Sequence, residues 1–390
     1  MKGICGIDID RDNVFISFAA VNRGRINFLK EIEVGAICDD GFLDYFKKNS
    51  ERLNKSIMVE EKRLSIKVDD VFLNLPRQLE KKRVVEDVVP FKKRKKINPP
   101  DLIMAKKHIA DIFLDWDDFC IHNFVLGCEI EGKLYPTLPI GVPAKKIKLK
   151  SLLVWVKDKL HREVEDIFDN VDRRFGGFVS SDASSFTASF PEGYIRKNDK
   201  DIFCVINIGY DNSHFVVCRA GALEFGKEFD FGSKKIIAAI EKRFLLSPVL
   251  ANEVFARYIS FKNVPYYKEI SIKKSNTYTN LSTQAVNSFV REYIKGEVNF
   301  MLEKIKQKVG IESFILSFVG RLNAKEGFYS FLKDFIPYQV KVFSPTGHNK
   351  SVSSSFGCLK YGMHRFLELE YCRKQESFWE RFLKVYKEYF

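Results

Sequence analysis

The chain has 390 residues, 45% hydrophobic, 14% aromatic and 29% charged, a globular composition that excludes a disordered or collagen-like chain. Sixty-four Lys and Arg against 51 Asp and Glu leave a formal charge of +13, which implies an acidic partner: nucleic acid, anionic lipid or an acidic peptide. No apolar run is long enough for a transmembrane helix, and residues 1–10 lack the apolar region of a signal peptide.

Residues 5–18, CGIDIDRDNVFISF, read as an apolar strand, a tight polar turn and a second apolar strand. After the turn at Arg23-Gly24-Arg25 comes a third, INFLKEIEV. Between residues 86 and 165 the spacing predicts a helix in DLIMAKKHIADIFLDW, with Leu102, Ile103, Ile109, Ile112 and Phe113 apolar. A β-rich run follows: FCIHNFVLGCEI, a Gly-Lys turn, KLYPTLPIGV and KKIKLKSLLVWV. The basic run Lys92–Lys96, followed by Asn98-Pro99-Pro100, reads as a solvated charged loop or an auxiliary contact to an anionic surface. No aromatic residues interleave with it, which argues against nucleic acid.

Residues 204–217, CVINIGYDNSHFVV, repeat the first hairpin at an offset of 199. Cys5/Cys204, Ile7/Ile206, Ile9/Ile208, Asp12/Asp211 and Asn13/Asn212 coincide, and Asp8 faces Asn207. Here too a third strand is expected, in ALEFGKEFDF. Residues 284–310 read as one long amphipathic helix. At the C-terminus, SFWERFLKVYKEYF carries a capping box at Ser377 and Glu380. Its apolar face holds Phe378, Trp379, Phe382, Leu383, Val385, Tyr386, Tyr389 and Phe390, with Arg381, Lys384 and Lys387 on the other side. Such a helix either docks on its own domain or lies in a membrane interface.

The eight Cys include no CxxC and the six His no ligand spacing, so the cysteines read as reduced and buried and no metal site is expected. No carboxylate pair or His suggests a catalytic residue; His214 reads as a strand residue.

Three strands repeated about 200 residues apart is the plan of the actin-like (duplicated RNase H-like) α/β fold. The order of segments resembles the bacterial cell-division protein FtsA over nearly the whole chain. Gly6-Ile7-Asp8-Ile9-Asp10-Arg11-Asp12-Asn13 stands where that family has its first phosphate loop, and Asn207 to His214 where it has the second. SPVLANEVFARY (247–258) matches a family helix, FILSFVGRLN (314–323) the adenosine loop, and SVSSSFGCLKYG the closing helix. The 86–165 segment matches the inserted subdomain, which the pilus protein PilM shares.

The resemblance implies a first half of 1–85 plus 166–200, an inserted α+β subdomain of 86–165, and a second half of 201–232 plus 313–365. It also implies an upper subdomain of 233–312 and a tether with membrane helix of 366–390. The nucleotide cleft would be lined by Asp8, Asp10, Arg11, Asp12, Asn207, Gly209, Tyr210, Asp211, Asn212 and Gly320. These loops depart from the family. Asp10 replaces a glycine, Asn207 a carboxylate of the magnesium shell, Tyr210 and Asp211 two glycines, and Phe318 and Val319 adenosine-loop glycines. One carboxylate at 4 Å from a phosphate costs roughly 4 kcal/mol before screening. The implied ATP and magnesium binding is therefore weakened, giving a pseudo-ATPase, with an active ATPase as the alternative.

FtsA-like function would tether filaments of the tubulin-like division protein FtsZ to the inner face of the membrane, at the division site, through anionic lipid. Self-association into filaments is a further expectation. Arg291, Lys295 and Lys304 on the long helix would meet the acidic tail of that partner. A PilM-like cytoplasmic adaptor of a pilus or secretion machine is the other reading.

Overall fold

The computed structural model describes residues 1–10, 13–22, 25–35, 41–135, 139–190, 194, 195, 198, 201–219, 222–224, 226–262, 269–274, 277–310, 313–341 and 354–363. It divides into two compact units, Met1–Ser184 with the chain from Ser355 onward, and Ser185–Ser354. No helix among the described residues is long and apolar enough to cross a membrane.

The first unit contains β1 (Lys2–Asp10), β2 (Asn13–Asn22), β3 (Arg25–Gly35), β4 (Lys67–Leu75), β5 (Lys81–Lys96), β6 (Asp118–Ile130), β7 (Lys133–Tyr135), β8 (Pro143–Lys157) and β9 (Arg174–Ser180). Its main sheet has the order β3-β2-β1-β4-β9, with β1 antiparallel to β2 and parallel to β4. β1 is buried on both faces, which is why it reads as a nearly unbroken apolar run. Cys5 and Ile7 face one core together with Tyr45, Phe46, Leu53 and Ile57 of the helix Phe42–Leu64 and Val164, Ile167 and Phe168 of the helix Asp158–Asp169. Gly6 points the other way, against a helix over residues 354–363.

The inserted part is a four-stranded antiparallel sheet in the order β5-β8-β6-β7, closed on one side by the helix Pro99–Phe113. Val85, Val89, Leu102, Ala105, Ile109, Ile147, Leu149 and Leu153 make its separate core. Asn98 starts the helix with a capping box: its Oδ1 accepts the Asp101 N–H at 2.9 Å, and its own N–H donates to Asp101 Oδ2 at 3.1 Å. Pro99 and Pro100 occupy the first turn, where a missing N–H is harmless. The basic run is strand rather than loop: Lys92–Lys96 ends β5, the outer strand of this sheet, with a register shift between Pro90 and Lys95.

The second unit contains β10 (Ile202–Ile208), β11 (Ser213–Arg219), β12 (Ala222–Glu224), β13 (Glu228–Phe229), β14 (Glu269–Lys274), β15 (Thr277–Ser282), β16 (Ile315–Gly320) and β17 (Gln339–Val340). The sheet order β12-β11-β10-β16-β17 repeats that of the first unit. The repetition extends to individual residue pairs. Gly3↔Ala20, Cys5↔Phe18 and Ile9↔Val14 in the first hairpin correspond to Ile202↔Arg219, Cys204↔Val217 and Ile208↔Ser213 in the second, all at 199. The parallel neighbours agree as well, Cys5 with Val71 and Cys204 with Leu316.

The expected third strand of the second unit is split, β12 pairing with the far end of β11 and β13 with Ser213 and His214. The core packs under the helices Ser233–Phe244, Pro248–Tyr258 and Thr283–Val309. Ser247 and Ser282 cap the last two by accepting the N–H of Leu250 and Ala285.

Candidate functional site

At the end of β1, Asp8 is half-buried and fixed by its parallel neighbour: Asn74 Nδ2 on β4 donates to Asp8 Oδ1 at 2.6 Å. Asn74 Oδ1 in turn accepts the Ser184 hydroxyl at 2.6 Å. Asp10 pairs with Asn13 at the mouth of the hairpin. Arg11 and Asp12 lie outside the described residues. Behind this strand Cys358 is fully buried, and burial, with Asp8 nearby, pushes its thiol well above the usual range, so it is not a nucleophile.

In the second unit Asn207 ends up beside Ser185, donating from Nδ2 to Oγ at 2.8 Å. The same hydroxyl stands 3.5 Å from His214 Nε2, and both Ser185 and His214 are buried. His214 is thus a strand residue of β11, as expected. The turn 209–212 is closed on itself. Gly209 N–H donates to the Asn212 carbonyl at 3.1 Å. The Gly209 and Tyr210 carbonyls accept the Ser233 and Lys234 N–H groups, each at 3.0 Å.

Those two amides open the helix Ser233–Phe244 and would otherwise be the donors of an anion site. Asp211 holds the Lys234 ammonium at 3.1 Å, and Asn212 Nδ2 donates to Glu228 at 2.9 Å. The Arg321 guanidinium lies 5.2 Å from the centre of the Tyr210 ring and reaches Ser233 Oγ at 3.3 Å. Gly320 is required where it stands: with φ 99°, any Cβ would come 2.2 Å from the Ile208 carbonyl.

This turn does not fit a polyphosphate. A phosphate needs N–H groups aimed outward, and here those of Gly209, Ser233 and Lys234 are spent internally. For magnesium, Asn207 offers a neutral amide oxygen rather than a carboxylate, and its Nδ2 donates to the Ser185 and Ser354 hydroxyls. Among the described residues, Asp115, Asp117 and Asp118 do converge within ligand distance, but in the turn that leads into β6 of the inserted sheet. Lys157 already sits between Asp117 and Asp118, at 3.0 and 2.8 Å.

Of the cationic residues expected to meet an acidic tail, Arg291 is occupied within the unit. It donates to the Lys262 carbonyl and lies 5.8 Å from the centre of the Phe331 ring. Ile294 is fully buried with Val290 and Val298, on the face of the helix turned to the core. Lys295 and Lys304 are half-exposed, and Lys304 lies 5.7 Å from the centre of the exposed Phe300 ring. The membrane-helix residues Phe378, Trp379, Phe382, Leu383, Tyr386, Tyr389, Phe390, Arg381, Lys384 and Lys387 lie outside the described residues.

A buried ionic cluster at the root of the inserted sheet was not legible from spacing or composition. Lys82 Nζ stands 2.5 Å from Glu80 Oε2 and 2.6 Å from Asp182 Oδ2, and Arg77 reaches Asp182 at 3.0 Å. Glu80 Oε1 also accepts the Ser181 N–H at the start of the helix Ser181–Ser189. Burial pushes the Glu80 carboxyl up to about 7, with Lys82 opposing the shift and Asp182 adding to it. Asp182 is about 100 residues distant in sequence, and no local pattern connects it to Glu80.

No known family model matches the chain, and no curated protein matches it. Solved structures do. The chain is similar to one in a PilM–PilN type IV pilus biogenesis complex, with a TM-score of 0.57, 12% identity, and coverage of 93% of this chain and 98% of that one. It is also similar to the ethanolamine utilization protein EutJ of Carboxydothermus hydrogenoformans, with a TM-score of 0.50, 8% identity and coverage of 92% and 88%. At these identities the likeness establishes architecture alone. The chain has the actin-like ATPase fold.

Proposed function

We propose that this chain is a non-catalytic actin-fold adaptor: a pseudo-ATPase that binds protein partners at the cytoplasmic face of a membrane-attached machine. The observation that carries this reading is the closed turn 209–212, whose carbonyls accept the first amides of the helix Ser233–Phe244 while the Gly209 amide closes the turn on itself. Calorimetric titration of ATP with magnesium is expected to give no saturable heat. Micromolar binding would restore the active-ATPase alternative and sink this one.

Two machines suit such an adaptor. PilM, similar in fold across nearly its whole chain, occurs with PilN in a pilus biogenesis complex, which supports a pilus or secretion adaptor. The aromatic-cationic pattern of residues 377–390 and the loop resemblances support the FtsA-type reading. In it the chain tethers a tubulin-like filament by its acidic tail, through Lys295 and Lys304, and assembles into filaments of its own. A fluorescent fusion separates them: a mid-cell band supports the division tether, and foci at the sites of pilus machines support the adaptor. Diffuse fluorescence would overturn both.

A further inference from the structure

The far end of the inserted sheet concentrates charge beyond what its fold uses. The register shift between Pro90 and Lys95 releases residues 91–94 from pairing with β8, and Lys92, Lys93 and Arg94 are exposed there. Lys95 is taken by Asp101, and Arg94 by Glu131 at 3.1 Å. Lys92, Lys93 and Lys96 pair with no acid among the described residues. The neighbouring strand adds Lys145 and Lys146, both exposed and pairing with no acid among the described residues; Pro90 of β5 stands opposite Lys146, and Lys95 opposite Ala144.

The turn that adjoins this end of the sheet carries an exposed aliphatic side chain. The turn before β8 is bonded to the residue after Lys96, with Ile97 N–H donating to Val142 O at 3.0 Å and Gly141 N–H to Ile97 O at 2.8 Å. That turn holds Ile140 out with 57% of its surface exposed. Five ammonium groups that pair with no acid among the described residues, with an exposed aliphatic side chain on the adjoining turn, match a surface that is anionic at headgroup level and apolar just beneath. A nucleic-acid backbone has no use for Ile140.

We infer that this tip of the inserted sheet is a contact for anionic lipid, separate from residues 377–390. The inference deepens the reading of the chain as a membrane-side adaptor and rests on it. One weak anchor gives marginal, reversible attachment, and stable attachment takes two signals; the tip would be the second.

The test uses the full chain and vesicles of phosphatidylcholine containing about one-third phosphatidylserine. Each unpaired lysine at such a surface contributes roughly fivefold to partition at low salt. The combined Lys92→Gln, Lys93→Gln, Lys96→Gln, Lys145→Gln and Lys146→Gln variant is therefore expected to lose roughly 100-fold or more. Ile140→Ser is expected to weaken vesicle binding severalfold and to leave heparin binding unchanged. A Phe378→Ser, Trp379→Ser and Phe382→Ser variant is expected to retain residual binding that salt abolishes. Thermal melts matching the parent show that each variant is folded.

If the lysine variant partitions like the parent while the aromatic variant loses all binding, the inference falls and the membrane reading stands. A parent chain that ignores vesicles sinks both. Tighter binding to duplex DNA than to vesicles, with Ile140→Ser silent, would replace lipid by nucleic acid.

Discussion

Gly6→Ala is expected to cost about 3 kcal/mol of stability, at the upper end of what overpacking a well-ordered core does. The added Cβ would stand 2.3 Å from the Ser355 carbonyl oxygen and 2.6 Å from the Leu359 amide nitrogen. Both are backbone atoms of the helix over residues 354–363, so no side-chain rotation relieves the overlap. Either β1 or the whole helix must shift, and β1 is the strand to which β2 and β4 are both bonded. Ser17 and Ser355 would lose register too: their hydroxyls lie 2.7 Å apart and each contacts Glu31 Oε2. Gly127→Ala is the control, since a Cβ there meets nothing within 4 Å. Urea unfolding of the two variants checks the claim. Equal midpoints would mean that the helix yields without cost and that the close approach is not structural.

The same contact illustrates what the sequence reveals and what it hides. The duplication was legible because each hairpin buries both faces of its first strand, so Cys5-Gly6-Ile7 and Cys204-Val205-Ile206 stay apolar while the turns stay polar. A fixed register then preserves the spacing of 199 pair for pair. The parallel partners left no such trace. β4 pairs with β1 across more than 60 residues, and nothing in KVDDVFLNL names its neighbour. Nor was the helix Phe42–Leu64 read: Tyr45, Phe46, Leu53 and Ile57 are its buried apolar residues among many charged ones.

The basic run misled for a different reason. An outer strand needs only alternate inward residues, Val85 and Val89, and beyond Pro90 even that alternation stops at the register shift. In the candidate site, the substitutions at Tyr210 and Asp211 were visible in sequence. Their consequence, a turn whose carbonyls cap the helix Ser233–Phe244, depends on three-dimensional closure that no spacing encodes.

Lys82→Met is expected to destabilise the protein by about 3–5 kcal/mol at pH 8, because it leaves two buried carboxylates without the cation between them. The side chains of Glu80, Lys82 and Asp182 are 0%, 8% and 9% exposed, so water cannot take over that role. Arg77 still meets Asp182 but makes no ion pair with Glu80 among the described residues. The pH dependence identifies the carboxyl responsible. In the fold Glu80 is pushed up to about 7 from an ordinary 4.5. Between those values the folded state holds a proton that the unfolded chain has released. Stability therefore falls as pH rises through that window, and the loss is complete above the folded value.

Removing Lys82 takes away the group that holds Glu80 down. The window then widens upward, and the variant recovers part of its loss below pH 6. Glu80→Gln keeps an acceptor for the Ser181 N–H and has no proton to exchange, so its stability should be flatter between pH 5 and pH 8 than that of the parent. Denaturant midpoints measured at both pH values for parent, Lys82→Met and Glu80→Gln decide the matter. A Lys82→Met loss that is the same at both, or a Glu80→Gln profile parallel to the parent, would show that the cluster does not titrate in this range. It would then be a permanently ionised anchor joining β5 to the helix Ser181–Ser189.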